Sequence, residues 1–189
     1  MVAPGHNAAG QDRIPNISFR LMSFSIRIRD WIRPPGGLLT GVGIGTGMTV
    51  VDYGCGPGSY VRDASGLAGA NGTVYAVDVH ELAVKAVSRR VREEGLANVI
   101  PVLATGYASG LPDAAADLVY ALDMFHMVDD PGAFLAELRR IVKPEGILAL
   151  GDGHQPRAKT RRAVRESGLW TIEEETVEYL RCRPLRTAG

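Results

Sequence analysis

The sequence predicts an α/β fold: a doubly wound, mostly parallel sheet with helices on both faces. Three observations predict it. Short apolar runs alternate with helical patterns along residues 48–167. The first run passes directly into glycines at positions 54, 56 and 58. The second run ends in Asp78, 20 residues after Gly58.

The elements follow in order. Residues 1–15 form a tail of small and polar residues, expected to be disordered. "NISFRLMSFSIRIRDWIR", 16–33, sets Phe19, Met22 and Ile26 near one helical face, and "RPPGG" stops it. A short helix then precedes Gly45 and Gly47, so 16–45 reads as a helical cover and 46–185 as the main domain. "MTVVDYG" (48–54) is a buried strand, and 59–69 a helix. "GTVYAVDV" (72–79) is the second strand. "HELAVKAVSRRVREEG" (80–95) is a helix, with Glu81 four residues before Lys85 and Gly95 as its C-cap. "VIPVLA" (99–104) and "DLVYAL" (117–122) are further strands. A helix over 130–146 starts with Pro131 in its first turn, and "GILALGD" (146–152) is the fifth strand. After a helix near 156–167, two strands close the chain around a turn at Glu174–Glu175.

With 189 residues, 46% apolar and 22% charged, the chain has the composition of an ordinary globular domain. The formal net charge is zero, which gives no case for a nucleic-acid partner. Charge is uneven, however. Residues 1–35 carry five Arg against two Asp, and 157–167 are basic, whereas the middle is acidic. Surface charge meeting surface charge explains this. A basic mouth for an anionic or membrane-associated substrate is the alternative. Two cysteines, no secretory leader and no apolar run near ~18 residues predict a cytoplasmic protein without an integral membrane segment.

The glycines sit where a doubly wound sheet binds ligands, between the first strand and first helix. They permit a tight turn and close approach to the main chain. Asp78 can accept hydrogen bonds from both hydroxyls of an adenosine ribose. The spacing is G-x-G-x-G with Ser59 at the sixth position, not the dinucleotide G-x-G-x-x-G, and no P-loop Gly-Lys-Ser/Thr is present. Asp52 would repel a pyrophosphate but suits a cationic amine or sulfonium. S-adenosylmethionine fits that description.

"VVDYGCGPGSY", "VYAVDVHELAV", "GLPDAAADLVYALDMFHMVDDP" and "FLAELRRIVKPEGILAL" occur in this order. Together they resemble the motifs of class I S-adenosylmethionine-dependent methyltransferases, in the small compact form found in bacteria and archaea. The resemblance covers about residues 20–185. It implies a Rossmann-like seven-stranded sheet in the order 3-2-1-4-5-7-6 with strand 7 antiparallel. It implies that Gly54, Gly56 and Gly58 approach the methionine part of the cofactor, and that Asp52 faces its amino group. Asp78 would bind the ribose, Val79 the adenine, and Asp123 the methionine end. Many members place an acid after the third strand. Here Gly106 or Tyr107 stands there, by main chain or by stacking.

Methyl transfer from a sulfonium is a direct displacement to a nucleophile, here an unidentified small molecule. It needs alignment, often a base, and no metal. His126, four residues past the fourth strand, is the chosen catalytic candidate; His154 lies past the fifth strand. His80 caps a helix or edges the adenine site. Tyr53 and Tyr60 border the methyl or pack, and Cys55 is structural. The absence of an Asn/Asp-Pro-Pro-aromatic tetrapeptide disfavours amino methylation of DNA bases or glutamine. Two cysteines disfavour arsenic chemistry. A non-catalytic cofactor-binding subunit is the alternative reading.

Overall fold

The computed structural model describes residues 15–18 and 36–185. The expected tail and most of the first helix of the cover, with Arg20, Arg27, Arg29 and Arg33, lie outside the described residues. Residues 16–18 are helical. The described elements are α1 (Gly36–Val42), β1 (Thr49–Tyr53), α2 (Val61–Ala68), β2 (Thr73–Asp78), α3 (Glu81–Glu94), β3 (Val99–Leu103) and β4 (Ala116–Ala121). A 3-10 turn, Phe125–Met127, precedes α4 (Pro131–Ile141), β5 (Val142–Gly151), α5 (Arg157–Glu166), β6 (Trp170–Glu175) and β7 (Tyr179–Pro184).

The strands form one sheet in the order β3-β2-β1-β4-β5-β7-β6. The pairs from β3 to β5 are parallel, and β7 runs antiparallel to both β5 and β6. This is the expected topology. Alternation along the central strands divides the core between two faces. Val51, Tyr53, Val119, Leu148 and Leu150 face Phe134, Leu135 and Leu138 of α4 and Val164 of α5. Val50, Leu118, Tyr120 and Ala149 face Leu39 of α1, Val61 and Ala64 of α2 and Val87 of α3. Burial on both faces explains why the strands read as continuous apolar runs. Each fully buried leucine contributes about 1.5–3 kcal/mol.

Local chemistry sets the helix ends. His80 Nδ1 accepts from Leu82 N (3.1 Å) at the start of α3, and Gly95 (φ +67°) ends it in the left-handed conformation. Asp130 Oδ1 accepts from Ala133 N (3.0 Å) at the start of α4. This helix stops at Ile141, five residues short of the expected end. Pro144 has no N–H for a helix and biases Lys143 towards extended backbone. β5 therefore starts at Val142, and a register shift opposite Ala116 and Leu118 absorbs the irregularity.

The closing hairpin also differs from expectation. β6 runs through Glu175, and the turn falls at 176–178. The Thr176 hydroxyl accepts from Glu178 N (3.2 Å) and Tyr179 N (3.1 Å), which fixes the turn there. β7 then secures the end of α1. Tyr179 OH donates to Gly41 O (2.6 Å), and Arg181 Nη1 to Val42 O (2.8 Å). Among the described residues, no helix is long and apolar enough to cross a membrane.

Candidate functional site

The carboxyl ends of β1, β2, β4 and β5 converge on one edge of the sheet. The β1–α2 loop is fixed there by main-chain bonds. Gly54 N and Cys55 N donate to Val77 O (2.8 and 3.0 Å), and Gly58 N donates to Cys55 O (3.0 Å). Arg90 of α3 donates to Gly58 O while paired with Glu94.

The three glycines have positive φ, +78°, +52° and +88°, but they serve different ends. A Cβ on Gly54 would meet Met124 Cγ at 2.7 Å. One on Gly58 would meet Val87 and Val61 at 3.1 and 3.2 Å. Only Gly56 has nothing within 4 Å of that point. The missing side chains at 54 and 58 make room for protein, and the one at 56 leaves open space.

Asp78 is joined to this loop. Its Oδ2 accepts from Gly56 N (2.9 Å) and its Oδ1 from His80 N (2.8 Å). A carboxylate has about four acceptor positions, so further donors fit. Burial raises the Asp78 pKa, and the hydrogen bonds from His80 and Gly56 oppose the rise. Asp52 is 2% exposed and sits opposite Tyr120 in the β1–β4 register. Asp52 Oδ2 and the Tyr120 hydroxyl are both buried without a hydrogen-bond partner. Burial pushes Asp52 up to about 8; the adjacent Tyr120 phenol opposes this and Asp78 adds to it. The phenol is thus close enough to favour the charged form without completing a hydrogen bond of normal geometry. An unpaired buried carboxyl oxygen, a main-chain cradle open at Gly56 and an acid with spare acceptor positions fit the amine, methionine and ribose of S-adenosylmethionine.

The other expected positions divide. Val79 follows Asp78 and is partly buried. Gly106 (φ +57°) lies in the tight turn closed by Thr105 and Ala108, with open space at its Cβ position. Tyr107 does not stand free for stacking. Its ring packs edge-on against Phe134 (6.0 Å), and its hydroxyl accepts from Asp130 N (3.0 Å). Tyr53 faces the same core: its ring lies 5.3 Å from Phe134, and its hydroxyl donates to Tyr107 O (2.5 Å). Its side chain therefore packs into the core, whereas that of Tyr60, on the other flank of the glycine loop, donates to Asp123 Oδ2 (3.2 Å). Cys55 is buried, and burial raises its thiol pKa, in keeping with a structural role.

Asp123 is exposed with φ +59°, a left-handed conformation that Asp adopts more readily than most residues. The turn sets Met124 over Gly54 and carries His126 towards the β5–α5 loop. There His126 and His154 pack edge to face, ring centres 4.8 Å apart. Sequence reasoning named both histidines but not their pairing, which depends on two loops from adjacent strands. It also missed Met124, Arg90 and Gly153. Tyr120 was reachable, because a parallel β1–β4 pair sets it opposite Asp52.

The basic segment around α5 is partly neutralised. Arg157 Nε lies 2.5 Å from Asp152 Oδ2, and Arg161 Nη2 lies 2.6 Å from Glu175 Oε2. For these two residues, basic surface meets acidic surface.

A family model described as a methyltransferase domain matches residues 51–150. The ubiquinone/menaquinone biosynthesis C-methyltransferase of Shewanella piezotolerans is 27% identical over 186 residues, 93% of this chain and 71% of that protein. The nocamycin O-methyltransferase of Saccharothrix syringae is 31% identical over 104 residues, 55% of this chain. The alignment spans only 37% of that relative's length. A crystal structure of a SAM-dependent methyltransferase from Aquifex aeolicus superposes with a TM-score of 0.76 at 25% identity, covering 90% of this chain and 97% of that one. Model, topology and relatives agree: the chain belongs to the class I S-adenosylmethionine-dependent methyltransferases, and S-adenosylmethionine is its cofactor.

Proposed function

We propose that the protein methylates a small molecule at oxygen or carbon, at the carboxyl edge of β1, β4 and β5. The observation that carries this reading is the pair of acids near the carboxyl ends of β1 and β2, Asp52 and Asp78. Asp78 is bound to the Gly56 amide, and Asp52 is buried with an unpaired oxygen. When bound, S-adenosylmethionine supplies an electrophilic methyl, whose bond to sulfur breaks as the acceptor's bond to carbon forms.

The chain's own residues position and desolvate. Asp78 holds the ribose, and Gly54, Gly56 and Gly58 form the cradle under the methionine part. Asp52 takes the amino group, Asp123 flanks the same end, and Val79 packs on the adenine. Gly106 serves through its main chain, and Tyr107 holds that turn by bonding to the start of α4 rather than by stacking. His126 is the catalytic residue at the acceptor. The named activities of the relatives, O- and C-methylation, support an acceptor that gives up a proton from oxygen or carbon. We read the setting as cytoplasmic and the acceptor as a free small molecule.

Calorimetric titration with S-adenosylmethionine, S-adenosylhomocysteine and NAD, repeated with Asp78→Ala, tests the cofactor half. Binding of the first two and loss in the variant are expected. Turnover against small hydroxylated acceptors tests the other half.

A further inference from the structure

His126 and His154 occupy the loops after β4 and β5, and the geometry limits what His126 can do with a proton. A Cβ at Gly153 (φ +62°) would lie 2.0 Å from His126 Nδ1, so only glycine admits the ring in this position. The imidazole is therefore pressed against main chain through its Nδ1 edge. Nδ1 is buried with no hydrogen-bond partner among the described residues. A buried N–H without an acceptor costs the desolvation of a donor, and unpaired acceptors are tolerated more often. The enclosed nitrogen is thus the one to leave unprotonated.

Two further groups bear on the ring. His154 packs against it at 4.8 Å, so a second positive charge there is unfavourable. Asp123, held by Tyr60, acts the other way. Burial and His154 outweigh it, and the His126 pKa is lowered. Asp152, in the same loop as His154, pairs through Oδ2 with Arg157, and its buried Oδ1 makes no hydrogen bond to His126 Nδ1 or to any other described residue.

Resting on the methyltransferase reading above, we propose that His126 is a neutral Nε2–H hydrogen-bond donor to the acceptor's oxygen, not its base, and that the acceptor binds as a phenolate- or enolate-type anion. His154 is the positioning residue that opposes protonation of the pair, and Gly153 provides the room. Such an anion is nucleophilic at oxygen and at the adjacent carbon. One donor therefore serves either O- or C-methylation: the new bond forms from the anion's electron pair, sulfur takes the pair of the breaking bond, and the acceptor's proton has already gone to solvent. For carbon attack, the ring proton is lost to solvent afterwards.

The test is nitrogen NMR of the full, ¹⁵N-labelled chain with S-adenosylhomocysteine. Expected is His126 as the Nε2–H tautomer at pH 7, with its titration moved to higher pH by His154→Gln. 4-Nitrophenolate, the probe, should shift His126 Nε2 more than the nitrogens of His154. A His126 that is the Nδ1–H tautomer or is charged at pH 7 overturns the proposal, as does a titration unmoved by His154→Gln. A probe that leaves Nε2 unmoved overturns the acceptor class. Loss of S-adenosylhomocysteine binding would instead count against the cofactor reading, so the two failures are separable. Gly153→Ala should abolish the probe shift while leaving S-adenosylhomocysteine binding within about twofold.

Discussion

The glycine-loop end of the site and the histidine end are built differently. At the first, backbone amides do the fixing: Gly54, Cys55 and Gly56 donate to Val77 and Asp78, and Arg90 grips Gly58. At the second, packing does it: Met124 lies on Gly54, and His126 on Gly153 and His154. Amide geometry follows from chain conformation and serves a cofactor of fixed shape. Side-chain packing can be re-formed with few changes, which suits the part of a family that must meet different acceptors.

The largest effect should come from breaking the first end. Asp78→Ala removes the acceptor of Gly56 N and, on the proposed role, of the ribose, and charge-assisted bonds are worth about 1.5–3 kcal/mol each. Calorimetry should show at least ~100-fold weaker S-adenosylmethionine binding. Leu138→Ala sharpens the comparison as a control in the shared core. It should cost about 2–5 kcal/mol in urea unfolding, while the folded fraction keeps its cofactor affinity.

Asp52 adds a pH signature. Burial raises its pKa to about 8, so the proposed pairing with the cofactor's ammonium would release a proton below that pH. Affinity should rise with pH between 6 and 8, by up to about tenfold per unit. The heat of binding should vary with the buffer's ionisation enthalpy, and Asp52→Asn should abolish both dependences. For stability the sign is the reverse. The folded protein holds a proton that the unfolded chain loses near its ordinary carboxyl pKa, so Asp52 destabilises the fold as pH rises from there towards 8. The smallest effect is expected from Arg90→Ala. Losing one bond to Gly58 O, worth about 1 kcal/mol, should weaken cofactor binding roughly fivefold and leave the histidine pair unchanged.

The same contrast explains what could be read from the chain. The strands themselves, the glycine loop and Asp78 at a strand's end are written in local spacing, because turn chemistry and alternation act over a few residues; the order of the strands in the sheet comes only from the family resemblance. The end of α4 was misplaced because its apolar period continues through Val142 while Pro144 stops the helix. Of the two readings open for Tyr53, packing is the one the structure shows, and the partners of Tyr53 and Tyr107, Phe134 and Asp130, lie more than 20 residues away, beyond the reach of local pattern. The pairing of His126 with His154 depends on a glycine whose only neighbour of note is an imidazole from another loop.

The most direct measurement is titration of the full chain with S-adenosylmethionine and NAD, with and without Asp78→Ala. Binding of S-adenosylmethionine but not NAD, lost in the variant, is the result expected of a site built around Gly56, Asp52 and Asp78. Binding of NAD alone, or S-adenosylmethionine binding unchanged by the variant, would contradict it.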